Sequence, residues 1–452
     1  MVSIGLDIGT TTICACVLDA GTGRILQTWT HQHSFLPAVQ PYEKQQSISE
    51  IVLAVDSILA EIVAHYSDIL CLGLTGQMHG IVYLDAQGQA ISPLITWQDA
   101  RGNEPVPGKN CTWAQQLQAL TGHPCASGFG AVTHYYNVQN GLVPPNAASF
   151  CTIHDYIFLR LCGQTRPVTH PSDAASIGLF DLARGCFDTA AIRAAGLDET
   201  LFPDVQSAFT APTRYGFPAV VAIGDNQACY HGSVRDPEDA LLVNVGTGSQ
   251  ISCHASACQT VPGIEARPYL DGAYLLSGSP LCGGRAYALL ERFFRTFLQA
   301  AGHPVQNTYE ILNRLAADYD TLTDPLVTHT TFCGSRQEPD LRGAIGRIGI
   351  DNFTPTHLTV SFLQGCVDEL HEFYRAMQPL LPHPPQYLVG SGNGLRQNPT
   401  LQALFSKTFG LPLRIPAHRE EAACGAALFS MICTQPERTP QSIRALIRYE
   451  AE

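Results

Sequence analysis

The chain has 452 residues, 45% apolar and 14% charged, a composition that fits a globular protein long enough for two domains. Its formal net charge of −13 excludes a basic nucleic-acid scaffold, though not a locally built anion site. No uninterrupted apolar stretch is long enough to span a bilayer, and the chain starts directly on a strand pattern; a cytoplasmic location without a membrane partner is expected.

Residues 2–7, 13–19 and 25–31 read as a three-strand meander. The apolar spacing of Ile48, Ile51, Val52, Val55, Ile58, Leu59 and Ile62 predicts a helix over 43–65. A buried strand over 70–75 leads into Gly76-Gln77-Met78-His79-Gly80 and a further strand over 81–84. Residues 102–112 and 121–150 read as loops around short helices. The composition restarts at Pro218, where a continuous apolar strand over 218–223 runs into Gly224-Asp225-Asn226-Gln227. Helices are expected over 285–301, 356–377 and 420–432, with a strand over 387–389 before the glycine-rich turn Gly390–Gly394. Strands alternate with helices in both halves, so the class is α/β, with a boundary near Pro212–Pro218 and domains over 1–217 and 218–452.

Two stretches look like one part built twice: Gly5-Leu6-Asp7-Ile8-Gly9-Thr10-Thr11 and Val243-Asn244-Val245-Gly246-Thr247-Gly248. Each is an apolar strand ending in a polar residue and a Gly-Thr turn. Such a turn offers backbone N–H groups and hydroxyls to an anion such as phosphate. Asp7, at a strand end facing hydroxyls, suits Mg²⁺ or simply caps its turn. Asp225 follows a wholly apolar strand, where a carboxylate is placed either to accept a hydroxyl proton or to cap the next helix. Gly390–Asn393 fails as a dinucleotide fingerprint, yet a bare glycine surface at a helix start suits a nucleotide. The clusters Gln77-Met78-His79, Trp97-Gln98-Asp99-Ala100-Arg101 and His154-Asp155 combine hydrogen-bonding groups with an aromatic face, as a polyhydroxylated ligand requires.

Other templates are missing. The only lysines are Lys44, Lys109 and Lys407, and no GxxxxGK[ST] or GxSxG sequence occurs. The sixteen cysteines form no Cys-x-x-Cys pair, and many sit in apolar runs, as reduced core residues do. His31 and His33 have no third ligand nearby and read as surface residues.

Together the matched stretches resemble the FGGY family of carbohydrate kinases over essentially the whole chain. They include Gly224-Asp225-Asn226-Gln227-Ala228 and Glu421-Ala422-Ala423-Cys424-Gly425-Ala426-Ala427. The resemblance implies two actin-like, ribonuclease H-like domains of the Hsp70/hexokinase/actin ATPase superfamily, with an interdomain cleft. Leu94–Arg101, Thr152–Tyr156 and Asp173–Ser176 are most similar to the sedoheptulokinases of that family, and Gln77–Gly80 also to its xylulokinases. The implied activity is ATP-dependent phosphorylation of a terminal ketose hydroxyl, sedoheptulose first and a pentulose second. A nucleotide-driven, Hsp70-like binding protein is the alternative from another class.

The resemblance further implies Asp225 as catalytic base and Asp7 as the Mg²⁺-linked carboxylate. ATP would meet Gly9, Thr10, Thr11, Gly246, Thr247, Gly248, Gly283, Gly390, Gly392, Asn393 and Asn398. The sugar would meet Gln77, Met78, His79, Trp97, Asp99, His154, Asp155 and Asn226. A monomer or homodimer is expected. Two departures bear on the choice of sugar: Thr133-His134-Tyr135-Tyr136 replaces a Lys-x-x-Trp, and Ser335 precedes Arg336 where an acidic residue is usual.

Overall fold

The computed structural model describes residues 1–335, 338 and 340–450. The chain divides into two compact units. The first comprises Met1–Arg235, Pro268–Gly272 and His418–Arg448; the second comprises Asp236–Arg267, Ala273–Ala417 and Tyr449–Glu452.

In the first unit the expected meander forms as β1 (Val2–Ile8), β2 (Thr12–Asp19) and β3 (Ile25–Gln32). Helix α1 spans Ile48–His65, starting at the first residue of its apolar spacing rather than at 43. Ser47 caps it by accepting from Glu50 N, while Gln45 and Gln46 pair with Ile95 and Leu94. Strand β4 is Ile69–Gly76, and helices α2 (Ile153–Leu161) and α3 (Pro171–Ile177) follow. Next come β5 (Thr210–Pro212), β6 (Pro218–Val220), β7 (Ile223–Gly224) and α4 (Asp225–Ser233). The apolar run over 218–223 is thus two short strands rather than one. The sheet order is β5-β6-β4-β1-β2-β3, with β7 also on β4.

The second unit has β8 (Ala240–Val245), β9 (Ser249–Ala255), β10 (Glu265–Pro268) and β11 (Tyr274–Gly278). Helices α5 (Gly284–Ala300) and α6 (Pro355–Met377) and strands β12 (Tyr387–Ser391) and β13 (Leu413–Arg414) complete its frame. Its sheet order is β10-β11-β9-β8-β12-β13. The repeat is therefore topological: β1 pairs antiparallel with β2 and parallel with β4, as β8 does with β9 and β12.

The compact units do not divide at 217/218. Helix α7 (Glu421–Thr434) and α4 both belong to the first unit. Small residues explain this packing. A Cβ at Gly5 would lie 1.8 Å from Ala423 O, and one at Gly425 1.8 Å from Ala228 O. Only glycine permits such backbone approach.

One apolar core of this unit is built from β1, β2, α1 and α2, with Ile4, Leu6, Val55, Leu59 and Ile157 fully buried. A second gathers Tyr83, Tyr135, Phe150 and Phe202. Buried His134 sits beside Tyr83 and Phe150, and burial pushes its imidazole from 6.5 down to about 4. The unfolded chain takes up that proton below about pH 6.5, whereas the folded chain resists until about pH 4. Stability is therefore lost across that window, on the order of 3 kcal/mol at most. Urea titrations at pH 7 and pH 4 should show a smaller fall in midpoint for His134→Gln than for the parent.

All sixteen cysteines are free thiols. Among the described residues no helix is long and apolar enough to cross a membrane.

Candidate active site

Three parallel strands of the first unit end together. Register places Asp7 opposite Thr75 and Ile8 opposite Gly76, while Ile223 and Gly224 face Thr75 and Gly76 from the other side. Asp7 precedes the last residue of β1, and Asp225 opens α4 directly after β7. Two carboxylates thus flank the carboxyl end of one strand, the usual ligand side of a parallel sheet. Burial pushes the Asp7 carboxyl up to about 7; Asp225 and Glu420 push the same way, and His154 opposes them. Asp7 Oδ1 is shielded and has no hydrogen-bond partner among the described residues. A shielded carboxylate oxygen among acidic neighbours favours a cation.

Around this centre the polar clusters lock one another. Gln77 donates from Nε2 to Gln46 Oε1 at 2.8 Å, and Gln46 donates to Thr10 O at 2.6 Å. Trp97 donates from Nε1 to Thr10 Oγ1 at 2.9 Å while the residue remains 43% exposed. His79 holds a left-handed backbone, φ 71°, of the kind a structure retains only where its surroundings fix it. Its Nδ1 lies 2.7 Å from Ser176 O, and its ring stacks on Phe129 at 4.7 Å. Asn226 donates to Met78 Sδ at 3.5 Å. His33 Nε2 lies 2.9 Å from Gly9 O, so His33 braces the Gly-Thr turn, a role its sequence neighbours do not reveal.

Three expected sugar contacts lie deeper. Asp99 is buried against Arg101, with Nε–Oδ1 2.7 Å and Nη2–Oδ2 3.1 Å, and Lys44 N donates to its Oδ2. His154 and Asp155 are fully buried beside Asp173. These side chains stand behind the exposed surface; Asp99 is engaged by Arg101 and Lys44, while the polar atoms of His154 and Asp155 are buried without a hydrogen-bond partner among the described residues. Thr133, His134, Tyr135 and Tyr136 are buried on the helix Gly130–Gln139, and Arg101 lies over the Tyr136 ring at 5.7 Å. Arg336 lies outside the described residues.

The second unit holds a cavity of about 280 Å³, lined by Gly246, Thr247, Arg285, Tyr287, Tyr309, Asn313, Asn393, Gln397 and Asn398 among others. Tyr287 donates to Asn313 Oδ1 at 3.1 Å, and Asn398 Nδ2 donates to the same oxygen at 3.2 Å. The Tyr287 and Tyr309 ring centroids are 5.7 Å apart. Gly248, Gly283, Gly390 and Gly392 are not in the lining. At Gly283 a Cβ would sit 2.3 Å from Ser249 N, and at Gly392 2.5 Å from Val245 O, so these two shape the turns from behind. Tyr287, Tyr309 and Asn313 escaped sequence reasoning because no fixed spacing marks them. Glu420, one residue before a quoted motif, also escaped; it accepts from Cys14 Sγ at 3.0 Å.

The profile of the FGGY family of carbohydrate kinases, N-terminal domain, matches residues 2–216, and that of the C-terminal domain matches residues 241–433. The chain belongs to the FGGY family. As an FGGY chain it is a carbohydrate kinase with the family's two-domain, actin-like α/β fold, and kinases of this family use ATP. It is 26% identical to the sedoheptulokinase of Homo sapiens, covering 94% of this chain and 96% of the relative. It is 22% identical to the gluconokinase of Bacillus subtilis, covering 95% and 87%. The xylulose-type kinase structure from Brucella ovis superposes with TM-score 0.83 at 21% identity, covering 100% of this chain and 94% of the other.

Proposed function

We propose that this FGGY kinase transfers the γ-phosphoryl group of ATP to the terminal hydroxyl of a ketose, sedoheptulose above all, giving the 7-phosphate. The observation that carries the chemistry is the pair Asp7 and Asp225 flanking the end of one strand beside Gln77, His79, Trp97 and Asn226. The sugar preference is supported by the sedoheptulokinase relatives, matched over 94% of the chain.

Phosphoryl transfer is mostly positioning and charge stabilisation. In this reading Asp225 accepts the proton of the attacking hydroxyl, and His79, Trp97 and Asn226 orient the sugar. Gln77 and Gln46 hold the Thr10 turn, whose hydroxyls and amides face phosphate oxygens. In the second unit Gly246, Thr247 and Gly248 offer amides to nucleotide phosphates, and the Tyr287–Tyr309 pair borders the base. The shielded Asp7 Oδ1, among acidic neighbours, fits a Mg²⁺ ion. That ion would supply neutralisation of the charge on the phosphates.

The test is ADP release measured with sedoheptulose, xylulose, ribulose and glycerol in parallel. The highest kcat/KM is expected with sedoheptulose. Preference for xylulose would assign a pentulose kinase instead, a reading favoured by the xylulose kinase of Staphylococcus xylosus, 22% identical over 96% of this chain. Nucleotide turnover that no ketose stimulates would indicate a nucleotide-driven binding protein.

Two variants probe the nucleotide side. A Cβ at Gly248 would meet nothing within 4 Å, so Gly248→Ala should keep its melting temperature. It should nevertheless raise the KM for ATP roughly tenfold, because the methyl group crowds the phosphate approach. Tyr287→Ala removes a ring from the cavity wall and should raise the KM for ATP by about tenfold, with a smaller effect on kcat.

A further inference from the structure

His154, Asp155 and Asp173 form a fully buried cluster whose ligand atoms lie within 4.8 Å of one another. His154 Nε2 lies 3.0 Å from Asp173 Oδ1. The ring also abuts the catalytic strand end: a Cβ at Gly76 would lie 2.9 Å from His154 Nδ1. Gly76 pairs with Ile8, next to Asp7, and with Gly224, next to Asp225. The imidazole therefore stands behind the one residue that separates the two carboxylate-bearing strands. Asp173 is joined to the same place by its helix. Neighbouring Ser172 accepts from Gly224 N at 3.0 Å, and Ser176 contacts the His79 backbone and ring.

We propose that His154 is a buried imidazolium and a positioning residue of the kinase: it pairs with Asp173 beside Asp155, fixes α3 against the Gly224–Asp225 corner, and presents positive charge behind Asp7 and Asp225. This rests on the reading of Asp225 as proton acceptor. A base works while it is ionised and aimed, and a fixed cation behind two nearby carboxylates favours both conditions. Among the described residues the charged groups facing the ring are acidic: Asp155 on its own helix, Asp173 on α3 and Asp225 on α4; Asp7 on β1 in turn feels His154 and Glu420. Burial lowers the proton affinity of the imidazole, and Asp173, Asp155 and Asp225 outweigh it, raising the group to about 9. Neither Asp173 oxygen and neither His154 ring nitrogen has a hydrogen-bond partner among the described residues, and Nε2 lies 3.0 Å from Oδ1, so the ring is placed as the counter-charge of Asp173. A neutral ring would leave these buried carboxylates unbalanced.

The experiment uses the whole enzyme labelled with ¹⁵N-histidine, with the His154 signals assigned by their loss in His154→Gln. Both ring nitrogens are expected to be protonated from pH 6 to pH 8. A ring with one unprotonated nitrogen at pH 7 overturns the proposal, as does stoichiometric metal retained by purified enzyme and displaced with a change in the His154 signals. In kinetics, His154→Gln should lower kcat by about 30-fold or more while the ketose KM stays within about threefold, and His154→Lys should recover most of the loss. Full kcat in the glutamine variant, or no rescue by a folded lysine variant, overturns it too. The ring state is read without substrate on the parent enzyme. It therefore stands or falls separately from the role of Asp225, which turnover of Asp225→Ala decides.

Discussion

Asp225→Ala is expected to lower kcat by about two orders of magnitude or more, with the KM for ATP little changed. The carboxylate opens α4 at the end of β7, on the face where β1 presents Asp7. The cavity of the second unit, proposed for the nucleotide, is not lined by Asp225, so ATP affinity should survive its loss. Single-turnover phosphorylation of the preferred ketose, set beside ATP binding by calorimetry, separates the two effects. Gly224, not Asp225, is the N-cap of α4, so the capping alternative for Asp225 does not hold. Asp225→Asn sharpens the comparison, because it keeps the size of the side chain while removing the proton acceptor; if Asp225 served only the start of α4, the asparagine variant would retain most of its turnover. If it takes the hydroxyl proton, both variants should fall together. Retained ketose-dependent turnover in either would remove Asp225 from the chemistry.

Legibility in the sequence followed the locality of the signal. The Gly-Thr turns were legible because a strand, a polar residue and a turn are contiguous; the matching registers of β1–β4 and β8–β12 show the duplication in space. The place of Asp225 after a buried strand was legible because the apolar run before it is uninterrupted. The polar clusters were legible only as chemistry. Whether Asp99 reaches open surface depends on Arg101 and Lys44 N, which bury it, and whether His154 does depends on Asp173, nineteen positions away. Those contacts are tertiary, so no local pattern encodes them. The same holds for Gln46, read as part of a helix, whose amide in fact joins Gln77 to the Thr10 turn. Helix α1 starts at 48 and not at 43 for a related reason: Gln45 and Gln46 pair with Ile95 and Leu94 instead. Compact-unit membership was the least legible property, because it rests on glycines that meet a distant helix.

One of those glycines carries the largest expected effect on folding. Gly425→Ala should destabilise the protein by about 3 kcal/mol or more. The added Cβ would lie 1.8 Å from Ala228 O and 2.8 Å from Gly232 N, both in the backbone of α4, where no side chain is free to give way. On the facing helix, a Cβ at Gly232 would lie 2.1 Å from Glu421 O, so the crossing of α4 and α7 is closely packed from both sides. Relief requires α4 to move away, and its first residue is Asp225. Gly425→Ala should therefore lose stability and kcat together, whereas Gly248→Ala, with open space at its Cβ, should lose ATP affinity alone. Chemical denaturation of both variants, with kcat taken under conditions where each remains folded, checks the pairing. A Gly425→Ala enzyme that keeps the parent's unfolding midpoint would show that the two helices are free to separate, and the glycine account of why α7 belongs to the first unit would fail.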